Sequence, residues 1–253
     1  METYRNIGVV QSYILAVKLV VKHRLYWFFI VPVLSCIFLL YLGFKLTAFL
    51  FNLAHESLIS IIDVDFWFFD LLNGFLSVLL FILIKLFLFI VFAYLGGFIL
   101  LILISPWLSY VSEKTEEIIS GNIYKFNIVQ FFKDILRGAG IAFRNMIYQL
   151  FIVIGLFLLS FFPFIGLFTP LLLFIVSSYY YGYSFVDYSL ERRKFSIKES
   201  NIWISGNKKQ VVGNGMFFSL ILMIPYVGVF IAVFMSVISV MSATILVFSK
   251  EKD

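Results

Sequence analysis

Cysteine is nearly missing from this chain. Cys36 is the only one, and it lies inside an apolar run. An intrachain disulfide is therefore excluded, and a cysteine metal site has no second thiolate. Histidine is almost as scarce. His23 and His55 stand far apart in sequence, and their surroundings place them on opposite sides of a membrane. No phosphate-binding glycine loop, nucleophile elbow or metal-binding helix pattern is present. These absences point away from an enzyme and leave no expected metal or cofactor. Charge is short as well: 13% of residues are charged, 62% are hydrophobic and 20% aromatic. Soluble domains carry about a quarter charged and about half apolar residues. A core could not hide this much apolar surface, so an integral membrane protein is expected. The apolar runs are continuous rather than alternating, which excludes an outer-membrane barrel and leaves helices. The run from Leu25 onward is too long for a cleaved signal peptide and has no small-residue cleavage site.

Charge is also short of one sign in one place. Residues 51–74 hold Glu56, Asp63, Asp65 and Asp70 and neither lysine nor arginine, whereas every other polar segment is basic and the chain carries +5. Basic loops stay cytoplasmic. The acidic interval thus faces outside and both termini face the cytoplasm. Residues 25–44 carry no charge, and residues 76–104 carry only Lys85. Each run suffices for one span of about 20 residues. The expected segments are a first span at about 25–48 and a second at 75–119 that continues into the cytoplasm. Its end is marked by Ser120-Gly121-Asn122, a helix stop signal.

Two later apolar blocks, 146–186 and 214–249, must each leave the cytoplasm and return. Each is broken by one pattern, Pro163-Phe164-Ile165-Gly166 and Pro225-Tyr226-Val227-Gly228. These mark hairpin tips. The arm 146–162 reaches roughly 25 Å and the arm 216–224 roughly 13 Å at helical rise, against a bilayer core of about 30 Å. The second block reads as a re-entrant hairpin, and the first is expected to resemble it. A tip inside the membrane must be buried in protein or line a watery cavity. The fold class is thus all-α: two long transmembrane helices, two half-penetrating helical hairpins and amphipathic cytoplasmic helices, in one domain over 1–253. One such helix carries Val10, Tyr13, Ile14, Val17 and Val21 on its lipid face. A second carries Phe131, Phe132, Ile135 and Leu136, with Lys133 and Arg137 between them. Ser196-Ile197-Lys198-Glu199 is a capping box that starts a third.

The stretch Ser105-Pro106-Trp107-Leu108-Ser109-Tyr110-Val111-Ser112-Glu113-Lys114-Thr115-Glu116 resembles the end of the second long helix in the CysZ-like permeases. That family shares a domain with the eukaryotic etoposide-induced proteins. Asp187-Tyr188 matches an Asp-Tyr-Pro motif, with Ser189 in place of the proline. Ile224-Pro225 and Ser242-Ala243-Thr244 match a family end in Gly-Ala-Thr, with Val233 replacing a later proline. The resemblance implies an inner-membrane homo-oligomer of bacterial type that takes up sulfate for cysteine synthesis. It marks Pro106, Glu113, Glu116, Asp187 and Tyr188 as motif positions. The family's sulfate-associated Gly-Leu-Arg-Arg stretch aligns near Arg24-Leu25-Tyr26-Trp27, where the paired arginines are absent.

Several candidate sites follow, each beside a plainer reading. Lys22, His23 and Arg24 could hold an oxyanion through charge-assisted hydrogen bonds, or anchor the chain to lipid phosphate. Lys85 is either an intramembrane site residue or snorkels to the headgroups. At the tips, Pro163, Gly166, Pro225 and Gly228 start return helices whose free N–H groups favour an anion, or the tips merely pack against the spans. Glu113, Glu116 and Glu117 line a vestibule or pair with Lys114 and Arg137. Asp63, Asp65 and Asp70 lack motif order for a cation and fit an interfacial loop. Tyr179, Tyr180, Tyr181 and Tyr183 are expected in an aromatic belt. The partners expected are membrane lipid, an inorganic anion such as sulfate, and further copies of the chain; nucleic acid is not among them. The function expected is an anion permease. The alternative is a membrane scaffold that organises lipid without transporting anything.

Overall fold

The computed structural model describes residues 7–61, 67–121, 128–224 and 227–250. Among them there is no strand. Helix α1 spans Val9–Lys22, and a 3-10 turn at Leu25–Phe29 leads into α2, Ile30–Ile61. Next come α3 (Trp67–Ser120), α4 (Ile128–Leu159), α5 (Pro163–Arg192), α6 (Ile197–Gly206), α7 (Lys208–Leu222) and α8 (Gly228–Lys250). The expected helical class holds, and the protein is a membrane protein by its surface. Among the described side chains, only a narrow stripe turns inward here: Phe28 of the 3-10 turn, then Pro32, Cys36 and Leu39 of α2. Ile30, Leu34, Ile37, Phe38, Tyr41 and Phe44 all stay exposed. A broad apolar face of this kind belongs in hydrocarbon. Three described segments are long and apolar enough to cross a bilayer: Leu25–Leu46, Leu136–Leu159 and Phe230–Lys250.

The second predicted span lies within α3, a single helix of 54 residues. At about 1.5 Å per residue it is roughly 81 Å long, so much of it must project beyond a 30 Å core. It runs through Pro106 without ending and stops where expected, before Gly121 at φ 77°. Its stretch from Phe98 to Ile119 is largely buried.

Helix α4 corrects the sequence reading. Residues 128–145 do not form a separate surface helix; they are the first turns of a continuous 32-residue helix. Phe132 and Leu136 are exposed as expected, while Arg137 turns inward. The first hairpin's arm is therefore roughly 48 Å long, and shortness no longer argues that it stops midway. The reason is local: nothing between Arg144 and Tyr148 can break a helix, so polarity changes along α4 without interrupting it. Helix α7 has 15 residues, or roughly 22 Å, still less than a bilayer core.

Both hairpin tips are built alike. The Gly166 amide donates to the Phe162 carbonyl at 2.9 Å, and the Gly228 amide to the Ile224 carbonyl at 2.9 Å. In each case the acceptor precedes the proline. A Cβ on Gly166 would stand 2.6 Å from the Ser160 carbonyl oxygen, and one on Gly228 2.2 Å from that of Ile221. The glycine lets the return helix pass close to the last carbonyls of the arriving one. Pro163 opens α5, where its missing N–H costs nothing. Pro225 and Tyr226 lie outside the described residues. Around the first tip Phe161, Phe162, Phe164 and Leu167 are all exposed, Phe164 at 89%. Gly228→Ala is expected to lower stability in detergent by about 1–3 kcal/mol through overpacking. Gly155→Ala meets open space and is expected to gain up to about 1 kcal/mol in helix propensity. Thermal melting of the two variants against the parent checks both signs.

Helix α8 is the hub. It is apolar all round and mostly buried, as such a helix must be. Its hydroxyls reach three neighbours. Ser242 shares a 2.6 Å hydrogen bond with Ser12 of α1, and Thr244 a 3.0 Å bond with Ser112 of α3. Tyr13 lies 2.8 Å from the Ser239 hydroxyl and donates to the Asn214 carbonyl of α7 at 2.6 Å. This corrects the reading of α1. Val10, Ile14, Val17 and Val21 do face outward, but Tyr13 does not join them; with Ser12, Ala16, Leu19 and Val20 it forms a second, buried face. The capping box at α6 is present, with Glu199 N–H on the Ser196 hydroxyl and Ser196 N–H on the Glu199 carboxylate. Those bonds hold the Glu199 carboxyl below its ordinary range.

Candidate functional site

Among the described residues, the buried ion pairs between helices gather at one end of this bundle. Two successive turns of α3 put Glu113 and Glu116 on one face, three residues apart. The last turns of α5 supply Asp187 and Glu191, four apart, followed by Arg192 and Arg193. Arg137 comes from the third turn of α4. At the same end α6 brings Ser200. Asp187 is 2% exposed and Glu116 5%, so these charges stand mostly out of water.

Arginine geometry organises the cluster. Arg137 grips Asp187 with two nitrogens, Nη2 to Oδ1 at 3.0 Å and Nε to Oδ2 at 3.2 Å. It also donates to the Phe195 carbonyl and, at 2.9 Å, to the Ser200 hydroxyl. Glu191 lies 3.5 Å from its Nε. Arg192 pairs with Glu113 at 2.8 Å and donates to the Ser109 hydroxyl at 2.8 Å. Arg193 faces Glu116 at 3.4 Å, longer than the 2.7–2.9 Å usual for a charge-assisted bond. Oε2 of Glu116 is buried with no hydrogen-bond partner among the described residues. Three guanidinium groups thus meet four carboxylates, and four helices are tied together by the result. A planar fork suits this role better than an ammonium, because it binds carboxylates in two places at once.

Chemically the cluster is a closed ionic girdle. Arg137 spends nearly all its donors on protein acceptors, so an incoming anion finds little there. The Arg193–Glu116 contact, at 3.4 Å, is longer than the Arg137–Asp187 and Arg192–Glu113 pairs at 3.0 and 2.8 Å, and an anion could compete with Glu116 at that point. Nothing in the arrangement resembles a nucleophile with its base. Among the described residues no group of three metal-ligating side chains occurs.

The structure brings Glu113 and Glu116 of α3 together with Asp187 of α5, although Glu113 and Glu116 pair with Arg192 and Arg193 rather than with Lys114 and Arg137. Lys114 pairs with Glu117 at 2.5 Å. Tyr188 is buried, its ring so near Gly138 that a Cβ there would stand 2.8 Å from Cε1. Its hydroxyl has no partner among the described residues. Beside Pro106, Trp107 donates to the Phe28 carbonyl at 2.6 Å and fixes the turn before α2. Lys22, His23 and Arg24 are exposed at the end of α1. Arg24 adopts left-handed φ 53°. Pro163, Gly166 and Gly228 sit at the hairpin tips, at the opposite ends of α5 and α8 from the girdle. Lys85 belongs to α3, but its side chain is outside the described residues, as are Pro225, Asp63 and Asp65.

Two expectations change here. The tyrosine belt is only half a belt: Tyr181 is buried, stacked on Phe98 at 4.4 Å and edged by Phe218 at 4.9 Å, and Tyr183 is buried too. Glu191, Arg192 and Arg193 complete the site beyond the residues that the sequence names. Their signal was available, since Asp187 and Glu191 share a helix face in a setting otherwise free of acid.

A profile of the family described as sulfate transporter CysZ/etoposide-induced protein 2.4 matches residues 12–232. That range contains every member of the girdle. A sulfate transporter CysZ of Vibrio cholerae is 28% identical over 129 residues, covering 50% of this chain and 52% of the relative. One of Pseudomonas fluorescens is 27% identical over 130 residues, covering 51% and 52%. The matches thus span about half the length of these curated relatives.

Proposed function

Because the chain belongs to the sulfate transporter CysZ/etoposide-induced protein 2.4 family, we propose that it is an inner-membrane permease for inorganic oxyanions, with sulfate its substrate. The observation that carries this reading is the family match across residues 12–232, supported by relatives named as sulfate transporters. The proposed topology is one domain over 1–253 with two long spans, two half-penetrating hairpins and both termini in the cytoplasm, assembled as a homo-oligomer. Sulfate must shed water to cross, so donors must replace that water. The N-terminus of α5 at the first tip has no side-chain cap, which leaves N–H groups for a passing anion. The girdle then acts as the cytoplasmic gate, with Glu116 yielding Arg193 to the anion. Lys22, His23 and Arg24 serve as the basic collar that concentrates anions near the membrane surface.

Purified protein in liposomes is expected to carry labelled sulfate above the rate of empty vesicles. A rate equal to empty vesicles, under conditions where a Vibrio cholerae relative is active, would remove the permease reading. One observation favours the scaffold reading instead. The arginines of the girdle are already matched by carboxylates, as suits a brace between helices. Absent flux with an intact fold would select it.

A further inference from the structure

We propose that Arg144, with Tyr148, Tyr179 and Tyr180, forms a binding site for a tetrahedral oxyanion, separate from the girdle. Arg144 lies two turns beyond Arg137 on α4, about 10 Å along the axis, inside the segment Leu136–Leu159 that can cross a membrane. An arginine at such a depth needs a partner. Arg137, Arg192 and Arg193 each face a carboxylate. Arg144 faces none among the described residues. It donates a long hydrogen bond, 3.4 Å, to the side-chain oxygen of its neighbour Asn145. Its Nε is buried without a partner.

The group is nevertheless held in place. Its guanidinium carbon stands 4.9 Å over the ring of Tyr183, a cation–π contact, and the group also reaches the Tyr183 hydroxyl, which itself donates to Asn201. Asn145 is fixed in turn by Ser184 at 3.0 Å. The wall continues through Tyr179, 6.4 Å from Tyr183 between ring centres, then Tyr180 at 5.3 Å from Tyr179, then Tyr148 at 6.5 Å from Tyr180. The charge of Arg144 reaches both Tyr179 and Tyr180. No described residue hydrogen-bonds the hydroxyl of Tyr148, Tyr179 or Tyr180. One immobilised cation and three tyrosines follow one another along this wall, with no carboxylate among them. Such a set of donors suits an acceptor with several oxygens and a negative charge. Sulfate, inorganic phosphate and a lipid phosphate share that chemistry. The claim concerns binding and does not depend on transport.

The test is equilibrium binding to purified protein freed of phospholipid. Titration calorimetry with sodium sulfate and with inorganic phosphate forms one arm. Retention of protein by vesicles of phosphatidylcholine with or without phosphatidic acid forms the other. The parent is expected to bind in at least one arm, and Arg144→Gln to weaken that binding by about tenfold or more. Binding in the first arm identifies a free ion, and binding in the second alone identifies a lipid headgroup. Arg144→Lys keeps the charge and is expected to recover part of the loss. If Arg144→Gln does not fold, the double variant Tyr148→Phe with Tyr180→Phe decides. It removes two hydroxyls and little else, and a loss of about threefold or more is expected. No binding by the parent in either arm, or unchanged binding in the variants, overturns the proposal.

Discussion

Gly182→Val and Gly215→Val are each expected to yield no monodisperse folded protein, and the corresponding alanine variants to melt well below the parent. The cause is a backbone contact between α5 and α7. A Cβ on Gly182 would stand 1.9 Å from the Val211 carbonyl oxygen and 3.0 Å from the Gly215 nitrogen. A Cβ on Gly215 would stand 1.9 Å from the Ser178 carbonyl oxygen and 2.5 Å from the Gly182 nitrogen. Every one of these atoms is backbone, so no side chain can rotate away. The helices themselves must separate, and each carries buried hydrogen bonds or ion pairs that set its position. Small residues at four-residue spacing, Ser178 with Gly182 and Gly215 with Ser219, are the usual means of close approach between helices in a membrane. The loss should exceed the about 1–3 kcal/mol of ordinary overpacking. Gly140→Ala, which meets open space on α4, is the control and should fold. Size-exclusion profiles and melting curves in one detergent check both. A Gly215→Val protein that elutes and melts like the parent would falsify the described crossing of α5 and α7.

Arg137→Ala is expected to destabilise by about 3–5 kcal/mol, the cost of leaving a buried charge without its partner. It strands Asp187, whose side chain is 3% exposed, and takes one partner from Glu191, whose side chain is 5% exposed. Asp187→Ala should cost less, because Glu191 still lies 3.5 Å from Arg137. Asp187→Asn should cost less again, since the amide oxygen still accepts one hydrogen bond. The double variant Arg137→Ala with Asp187→Ala should be less damaged than the sum of its parts, by a coupling in the range of about 0.5–3 kcal/mol. Melting shifts for the four proteins complete that cycle. Additive losses would mean that the two groups do not meet. The same variants address the gate, because a brace and a gate respond differently. A brace loses stability and flux together, whereas a gate freed of its latch gains flux at reduced stability.

Local chemistry made several features legible in advance. A helix ends where Ser120-Gly121 says it should, α6 starts at its Ser196 capping box, and both Pro-x-x-Gly patterns stand beside helix starts. Each signal acts within about four residues, which is the reach of a cap or a turn. The basic and acidic segments and the long apolar runs were equally plain, because they concern partition between water and lipid. The continuity of α4 was not legible in this way. A change from polar to apolar residues resembles a boundary, yet helix propensity ignores it.

The girdle was half visible. Glu113, Glu116 and Asp187 came forward through resemblance, but their partners did not, because pairing depends on how α3, α4 and α5 pack. Tyr13, Tyr181 and Tyr183 resembled membrane-facing aromatics by composition. They are buried because neighbouring helices supply a hydroxyl, a carbonyl or a ring at the right place.

By itself, then, the amino-acid sequence determined that this is a helical membrane protein, and through its motifs which family it resembles. It also determined where most helices end and where two chain reversals fall. Scarcity of charge and cysteine, continuous apolar runs and short-range turn chemistry suffice for those conclusions, since they act within a segment or between a segment and its solvent. Only the tertiary structure decided which arginine faces which carboxylate, that Arg144 faces none among the described residues, and that Gly182 and Gly215 carry a backbone-to-backbone contact of α5 with α7. Those facts depend on backbones from distant stretches coming within a few ångströms, and no local signal encodes such a distance.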